Sequence, residues 1–199
     1  MQKIAILGGT FDPIHNGHLH LVRRFCEHVS FDRVIFMPTK APTHKTSEHL
    51  TAAEHRLAMC KIAAKSVGYT VSDMEICRHI PSYTVYTLEE LKRQYPNDTL
   101  YWITGEDMFL SLLNWKDALR LFELAVFCAA PRSIEGMAQM QVYEKKLQAH
   151  GAQTILQNID FLPISSTMVR SAVKAGADIS GMVPFGVKEY IEQHGLYKE

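Results

Sequence analysis

Residues 8–18, GGTFDPIHNGH, gather two glycines, a threonine and two histidines in one short stretch, a combination that suits an anion. Gly8 and Gly9 let backbone approach a ligand closely, and Thr10 adds a hydroxyl and an amide. His15 and His18 stand three residues apart, so a helix beginning here carries both on one face. Free N–H groups and the helix dipole favour phosphate oxygens at that end of a helix. Two other readings stay open. The stretch can be simple punctuation between a strand and a helix, or Asp12, His15 and His18 can hold zinc. The spacing is not HExxH, and no second cluster of ligands stands out. A second turn, ISSTMVR at 164–170, offers Ser165, Ser166 and Thr167 at a helix start, followed by Arg170. A helix cap explains the hydroxyls, and anion binding uses the same orphan N–H groups. Arg170 favours the anion, because a guanidinium beside such a turn suits phosphate.

The flanking segments say what holds these turns. IAIL before the first turn is continuously apolar, as in a buried parallel strand. HLHLVRRFCEHV after it spaces Leu19, Val22, Phe25, Cys26 and Val29 for a helix. Further strands are expected at 33–38, 69–76, 99–105 and 124–131, with an extended run over 154–164. Helices are expected at 51–67, 87–95 and 137–150, from Ser165 to a stop at Gly176, and after Pro184. The alternation predicts an α/β fold with a doubly wound parallel sheet and right-handed crossovers, in one domain over 1–199. At the start of the helix expected at 87–95, PSYTVYTLEEL reads two ways. Thr87 and Glu90 have capping-box spacing. A helix beginning nearer Thr84 instead turns amides around Tyr83 and Thr84 outward as an anion site.

Composition narrows the partners. The 199 residues carry 21 basic and 21 acidic side chains, so bulk charge gives no pull toward nucleic acid or a membrane surface. No apolar run is long enough to span a bilayer, and the N-terminus reads as entering a strand rather than a signal peptide. The four cysteines, Cys26, Cys60, Cys77 and Cys128, show no CxxC and read as reduced core residues of a cytoplasmic protein.

GGTFDPIHNGH together with ISSTMVR resembles the nucleotidyltransferase superfamily that carries HxGH and ISSTxxR motifs. PTHK (42–45), HRLAM (55–59), PSYTVYTLEEL (81–91), TGEDMFLSLLNW (104–115), APR (130–132) and VKEYIEQHGLY (187–197) narrow the resemblance. In that order, and over essentially the whole chain, they are similar to the bacterial nicotinate-nucleotide adenylyltransferases. The chain departs from that pattern at Thr43, where a second proline is usual, at Tyr86, where aspartate is common, and at Ala172, where a basic residue is frequent.

The resemblance implies a Rossmann-like nucleotidyltransferase fold with a helical C-terminal segment. It also implies transfer of an adenylyl group from ATP to nicotinate mononucleotide in NAD biosynthesis, giving deamido-NAD and pyrophosphate. By the same resemblance His15, His18 and Arg170 are the catalytic set, and Gly8, Gly9, Thr10, Phe11, Gly105, Asp107, Ser165, Ser166 and Thr167 bind ATP. His44, Lys45, Ser82, Tyr83, Thr84, Trp115 and Arg132 are the acceptor-site candidates. Trp115 either stacks on the pyridine ring or packs into the core. Mg²⁺ is expected to arrive on ATP, with no metal site of the protein's own, and the chain to work as a monomer or homodimer.

Overall fold

The computed structural model describes residues 1–41 and 50–198. Six strands form one all-parallel sheet in the order β3-β2-β1-β4-β5-β6. They are β1 (Lys3–Gly9), β2 (Arg33–Pro38), β3 (Thr70–Val71), β4 (Thr99–Gly105), β5 (Ala125–Ala130) and β6 (Gln153–Leu156). The chain runs outward from β1 to β3, then returns across to β4 and runs outward the other way. The reversal falls between β1 and β4, where an open α/β sheet leaves a crevice at the carboxyl ends of its strands.

Alternation along the strands divides the core into two layers. Ala5 and Leu7 of β1, with Val34 and Phe36 of β2, face α1 (Asn16–His28), α2 (Ala53–Val67), α8 (Ser166–Lys174) and α9 (Phe185–Gln193). Ile4 and Ile6, with Leu100 and Trp102 of β4, face α4 (Thr84–Gln94), α6 (Ala118–Leu124) and α7 (Ile134–Ala149). Short helices α3 (Met74–Cys77) and α5 (Glu106–Phe109), and a 3₁₀ turn at Leu112–Asn114, complete the path. Residues of β1 are buried on both faces, which is why IAIL lacks any polar alternation. Each large aliphatic or aromatic side chain buried in this way contributes about 1.5–3 kcal/mol.

Strands at 33–38 and 99–105 occur as the sequence predicts. The expected strand at 69–76 does not. It shrinks to Thr70–Val71, because the Ser72 hydroxyl accepts the Met74 amide and turns the chain into α3. The run at 154–164 is strand only as far as Leu156. Helix α4 begins at Thr84, with Tyr83 as its N-cap, so Thr87 and Glu90 do not cap it. Helix α8 ends as expected, Gly176 taking the left-handed conformation (φ +69°) just beyond it. Three cysteines are buried or half-buried, but Cys77 is exposed at the end of α3, contrary to its expected place in the core.

Candidate active site

The strand ends at the β1–β4 reversal bring together most of the residues that the two turns nominate. Gly8 is glycine because a Cβ there would lie 2.4 Å from the Trp102 indole, and at Gly9 it would meet the Phe11 ring at 3.0 Å. The close approach these glycines permit is thus made by the protein's own aromatic rings. Phe11, buried and with φ of +50°, sets its ring edge-on to His18 at 5.0 Å between centroids.

His15 is the N-cap of α1, and its ring lies 3.7 Å from that of His18. The His15 amide donates to Nδ1 of His18 at 3.2 Å. A neutral His18 therefore carries its proton on Nε2, leaving that nitrogen as a donor. Burial lowers the His15 pKa to about 4, and burial together with the neighbouring His15 holds His18 well below its usual range. Both rings are neutral near pH 7 in the free site. Nδ1 of His15 is buried with no hydrogen-bond partner among the described residues. The first-turn amides of α1 offer less than the sequence suggests, because the Asn16 amide already donates to the Met182 carbonyl at 2.8 Å.

The second turn is bolted to the first. Ser166 Oγ donates to the Pro13 carbonyl at 2.9 Å, and Arg170 Nη1 donates to the Asp12 carbonyl at 2.7 Å. Ser165 Oγ accepts the Met168 amide, and Thr167 Oγ1 accepts from Arg170 Nη2. These hydroxyls are committed to the protein. The first-turn amides of Ser166 and Thr167, and the remaining N–H groups of Arg170, are what this turn can present to an anion.

Asp12 does not face the histidines. Its carboxylate accepts the Tyr197 hydroxyl at 2.7 Å and the Thr51 amide at 3.4 Å, so it completes no zinc set with His15 and His18. Among the described residues no three His, Cys, Asp or Glu side chains are grouped to hold a metal.

Across the reversal, Gly105 caps α5, and Asp107 pairs with Arg132 at 2.9 Å. Arg132 also lies 5.8 Å from the Phe161 ring, and its amide donates to the Glu106 carboxylate at 2.6 Å. It thus stands on the Asp107 side of the reversal, not with the chain leaving β2. His44 and Lys45 lie outside the described residues. Tyr83 and Tyr86 meet edge-on at 6.0 Å, with Lys116 Nζ 5.5 and 5.9 Å from their ring centres. Trp115 donates to Ser111 Oγ at 3.0 Å and, with Tyr86, lines an open groove of about 770 Å³ between α4 and α6. It therefore packs on the α4 side of the fold without being fully enclosed.

Three contributors lie in segments that carry the resemblance but had no role of their own. Arg56, completely buried, donates to the carbonyls of Thr10, Thr39 and Lys40 at 2.7 Å and of Thr51 at 2.9 Å. An arginine in HRLAM reads as a solvated helix residue until the loops around it are placed. Tyr197 reaches Asp12 from the far end of the chain. Thr104, buried at the carboxyl end of β4, has a hydroxyl with no partner among the described residues.

Imidazoles and a guanidinium gathered at the reversal of a doubly wound sheet suit a protein that handles nucleotides. The cytidylyltransferase-like family matches residues 6–172. The chain is 36% identical over 204 residues to a probable nicotinate-nucleotide adenylyltransferase of Neisseria meningitidis, with both chains covered completely. It is 38% identical over 197 residues to one of Clavibacter michiganensis, covering 98% of this chain and 94% of that one. A solved nicotinic acid mononucleotide adenylyltransferase of Plasmodium falciparum, complexed with NaAD, superposes with a TM-score of 0.76 at 22% identity, covering 99% and 98%. This chain belongs to the nicotinate-nucleotide adenylyltransferase family.

Proposed function

We propose that the protein transfers the adenylyl group of ATP to nicotinate mononucleotide, releasing pyrophosphate and forming deamido-NAD. The observation that carries this reading is the pair of turns joined through Arg170 and Ser166, with His18 Nε2 left as a donor beside them. An oxygen of the acceptor's 5′-phosphate forms the new bond to the α-phosphorus, and the bond from that phosphorus to the β-phosphate bridge breaks. The attacking phosphate is largely dianionic at pH 7, its second pKa being about 6, so it needs no general base. Positioning and charge stabilisation supply the catalysis, as in other transfers at phosphorus.

His18 Nε2 donates to the α-phosphate as charge builds there, and His15 turns its unpartnered ring nitrogen to a phosphate oxygen. Arg170 and the amides of Ser166 and Thr167 hold the departing pyrophosphate. Gly8, Gly9, Thr10 and Phe11 wall the nucleotide cleft, and Gly105 and Asp107 border it across the reversal. Mg²⁺ comes bound to the ATP phosphates, where it neutralises their charge; the described residues provide no carboxylate cage for it. The uncapped start of α4 receives the nicotinate carboxylate. Its N-cap, Tyr83, has no side chain able to reach the first amides, which leaves those of Thr84 and Val85 for an anion. A neutral carboxamide brings N–H donors toward those same amides and is disfavoured. Ser82, Tyr83, Thr84 and Trp115 thus belong to the acceptor side, with His44 and Lys45 as candidates for its phosphate. Arg132, paired with Asp107, belongs to the nucleotide side.

No helix among the described residues is long and apolar enough to cross a membrane, in keeping with substrates met in the cytoplasm. The test is pyrophosphate release from ATP with a panel of phosphorylated acceptors. Nicotinate mononucleotide is expected to exceed nicotinamide mononucleotide by at least ~10²-fold in kcat/KM, about 2.7 kcal/mol. Preference for a pantetheine phosphate, or equal use of acid and amide, overturns the assignment of acceptor.

A further inference from the structure

A buried carboxyl beneath the first turn of α4 has no part in the reaction as described. Glu75, on α3, is only 4% exposed. The hydroxyl of Thr87, which is completely buried, donates to it at 2.6 Å, and Arg78 Nη1 donates to that same hydroxyl oxygen at 3.1 Å. The hydroxyl is thus used in both directions, as donor and as acceptor. Burial pushes the Glu75 pKa up, while Thr87, Thr39, Arg78 and Ser82 around it pull it down.

We propose that Glu75 is a positioning residue for acceptor specificity: through Thr87 it fixes the rotation of α4 that aims the Thr84 and Val85 amides at the acceptor's carboxylate. The inference rests on the functional reading above. Thr87 lies three residues after Thr84, within the first turn, and its amide bonds the Tyr83 carbonyl. Holding its side chain therefore holds the turn that carries the free amides. Val85, Leu88 and Leu91 bury the same helix against the sheet, but apolar contact is non-directional and leaves rotation about the axis poorly fixed. An apolar pair in place of Glu75 and Thr87 would avoid the desolvation cost; a buried polar pin is kept where a unique orientation matters. Nearby, the Thr39 amide donates to the Gly9 carbonyl at 2.9 Å, and the Thr39 carbonyl accepts from Arg56, which also holds Thr10.

The test is steady-state kinetics of Glu75→Leu, Glu75→Gln and Thr87→Val with nicotinate mononucleotide, nicotinamide mononucleotide and ATP, each variant checked by thermal melting. Glu75→Leu and Thr87→Val should raise KM for nicotinate mononucleotide by ~10-fold and narrow the acid-over-amide preference by a similar factor. The KM for ATP should stay within ~2-fold and kcat within ~3-fold. Glu75→Gln should recover most of the loss, because its carbonyl still accepts from Thr87. Thr87→Val, nearly isosteric, keeps the test alive if Glu75→Leu does not fold. Unchanged acceptor KM and preference in the folded variants overturns the inference alone. So does a parallel rise in both KM values, which marks a general loosening. Wild-type protein that makes no dinucleotide overturns the functional reading and this inference with it.

Discussion

Nδ1 of His18 accepts the His15 amide, and that bond decides which nitrogen of the ring meets a ligand. The histidine spacing was legible in the sequence, whereas the tautomer depends on His15 being the N-cap. Neutrality in the free site has a measurable consequence. His15 is held near 4 in the folded protein, against 6.5 when unfolded. The unfolded chain binds more protons between these values, so stability is complete above about 6.5 and falls as pH drops toward 4. At pH 4.5 the loss amounts to about 2–3 kcal/mol. Urea unfolding of wild type and His15→Gln at pH 7 and 4.5 should show a smaller loss in the variant; equal losses would deny His15 this role. Arg170 illustrates the other kind of residue, legible by type but not by connection. It braces the Asp12 carbonyl and, in the proposed reaction, holds the ATP phosphates, so Arg170→Ala should raise KM for ATP by ~10-fold and lower kcat as well. If neither parameter moves, the second turn is only a helix cap.

Among the elements, β2 and β4 were read to the residue, and β1 and β5 to within a residue or two at each end. RVIFMP and TLYWITG are apolar runs bounded by turn residues, and no competing pattern exists for them. The segment after β3 was misread because Ser72 turns the chain locally, its hydroxyl accepting the Met74 amide, and because the inward-facing Glu75 meets its partner Thr87 only on the next helix. Residues 106–123 had no assigned element, since helices of four and seven residues are too short for a periodic signal. At α4 the sequence contained a decoy. Thr87 and Glu90 have capping-box spacing, yet Thr87 faces the core and Glu90 pairs with Arg93. Arg56 governs how elements meet, binding the carbonyls of the β1–α1 turn, of the chain leaving β2 and of Thr51 before α2. Removing it strands the buried Thr39 carbonyl, at about 1–3 kcal/mol, and the part-buried carbonyls of Thr10, Lys40 and Thr51, where water recovers part of the loss. Arg56→Met should lower unfolding stability by more than ~3 kcal/mol, and Arg56→Lys should restore only part, since an ammonium cannot reproduce the planar fork. A loss below ~1 kcal/mol in Arg56→Met would show that the loops hold their places without it.

At the scale of the whole molecule, the sheet order places the β1–β4 reversal where four separate stretches of sequence converge. Residues 8–18, 104–107 and 165–170 meet there, and the C-terminal Tyr197 closes on Asp12 from behind. The alternation of strands and helices made the class of fold readable, but the contacts that join the turns span over 150 residues and leave no local trace. In the proposed reaction these joined turns transfer an adenylyl group to nicotinate mononucleotide, with His18 stabilising the charge that develops. The most direct measurement is deamido-NAD formation, with pyrophosphate, by wild type and His18→Ala at saturating ATP and nicotinate mononucleotide. Wild type should form the two products in equal amounts. His18→Ala should lose at least ~10²-fold in kcat while unfolding as cooperatively as wild type. Absence of the dinucleotide in wild type would overturn adenylyl transfer, and an undiminished kcat in the variant would overturn the role of His18.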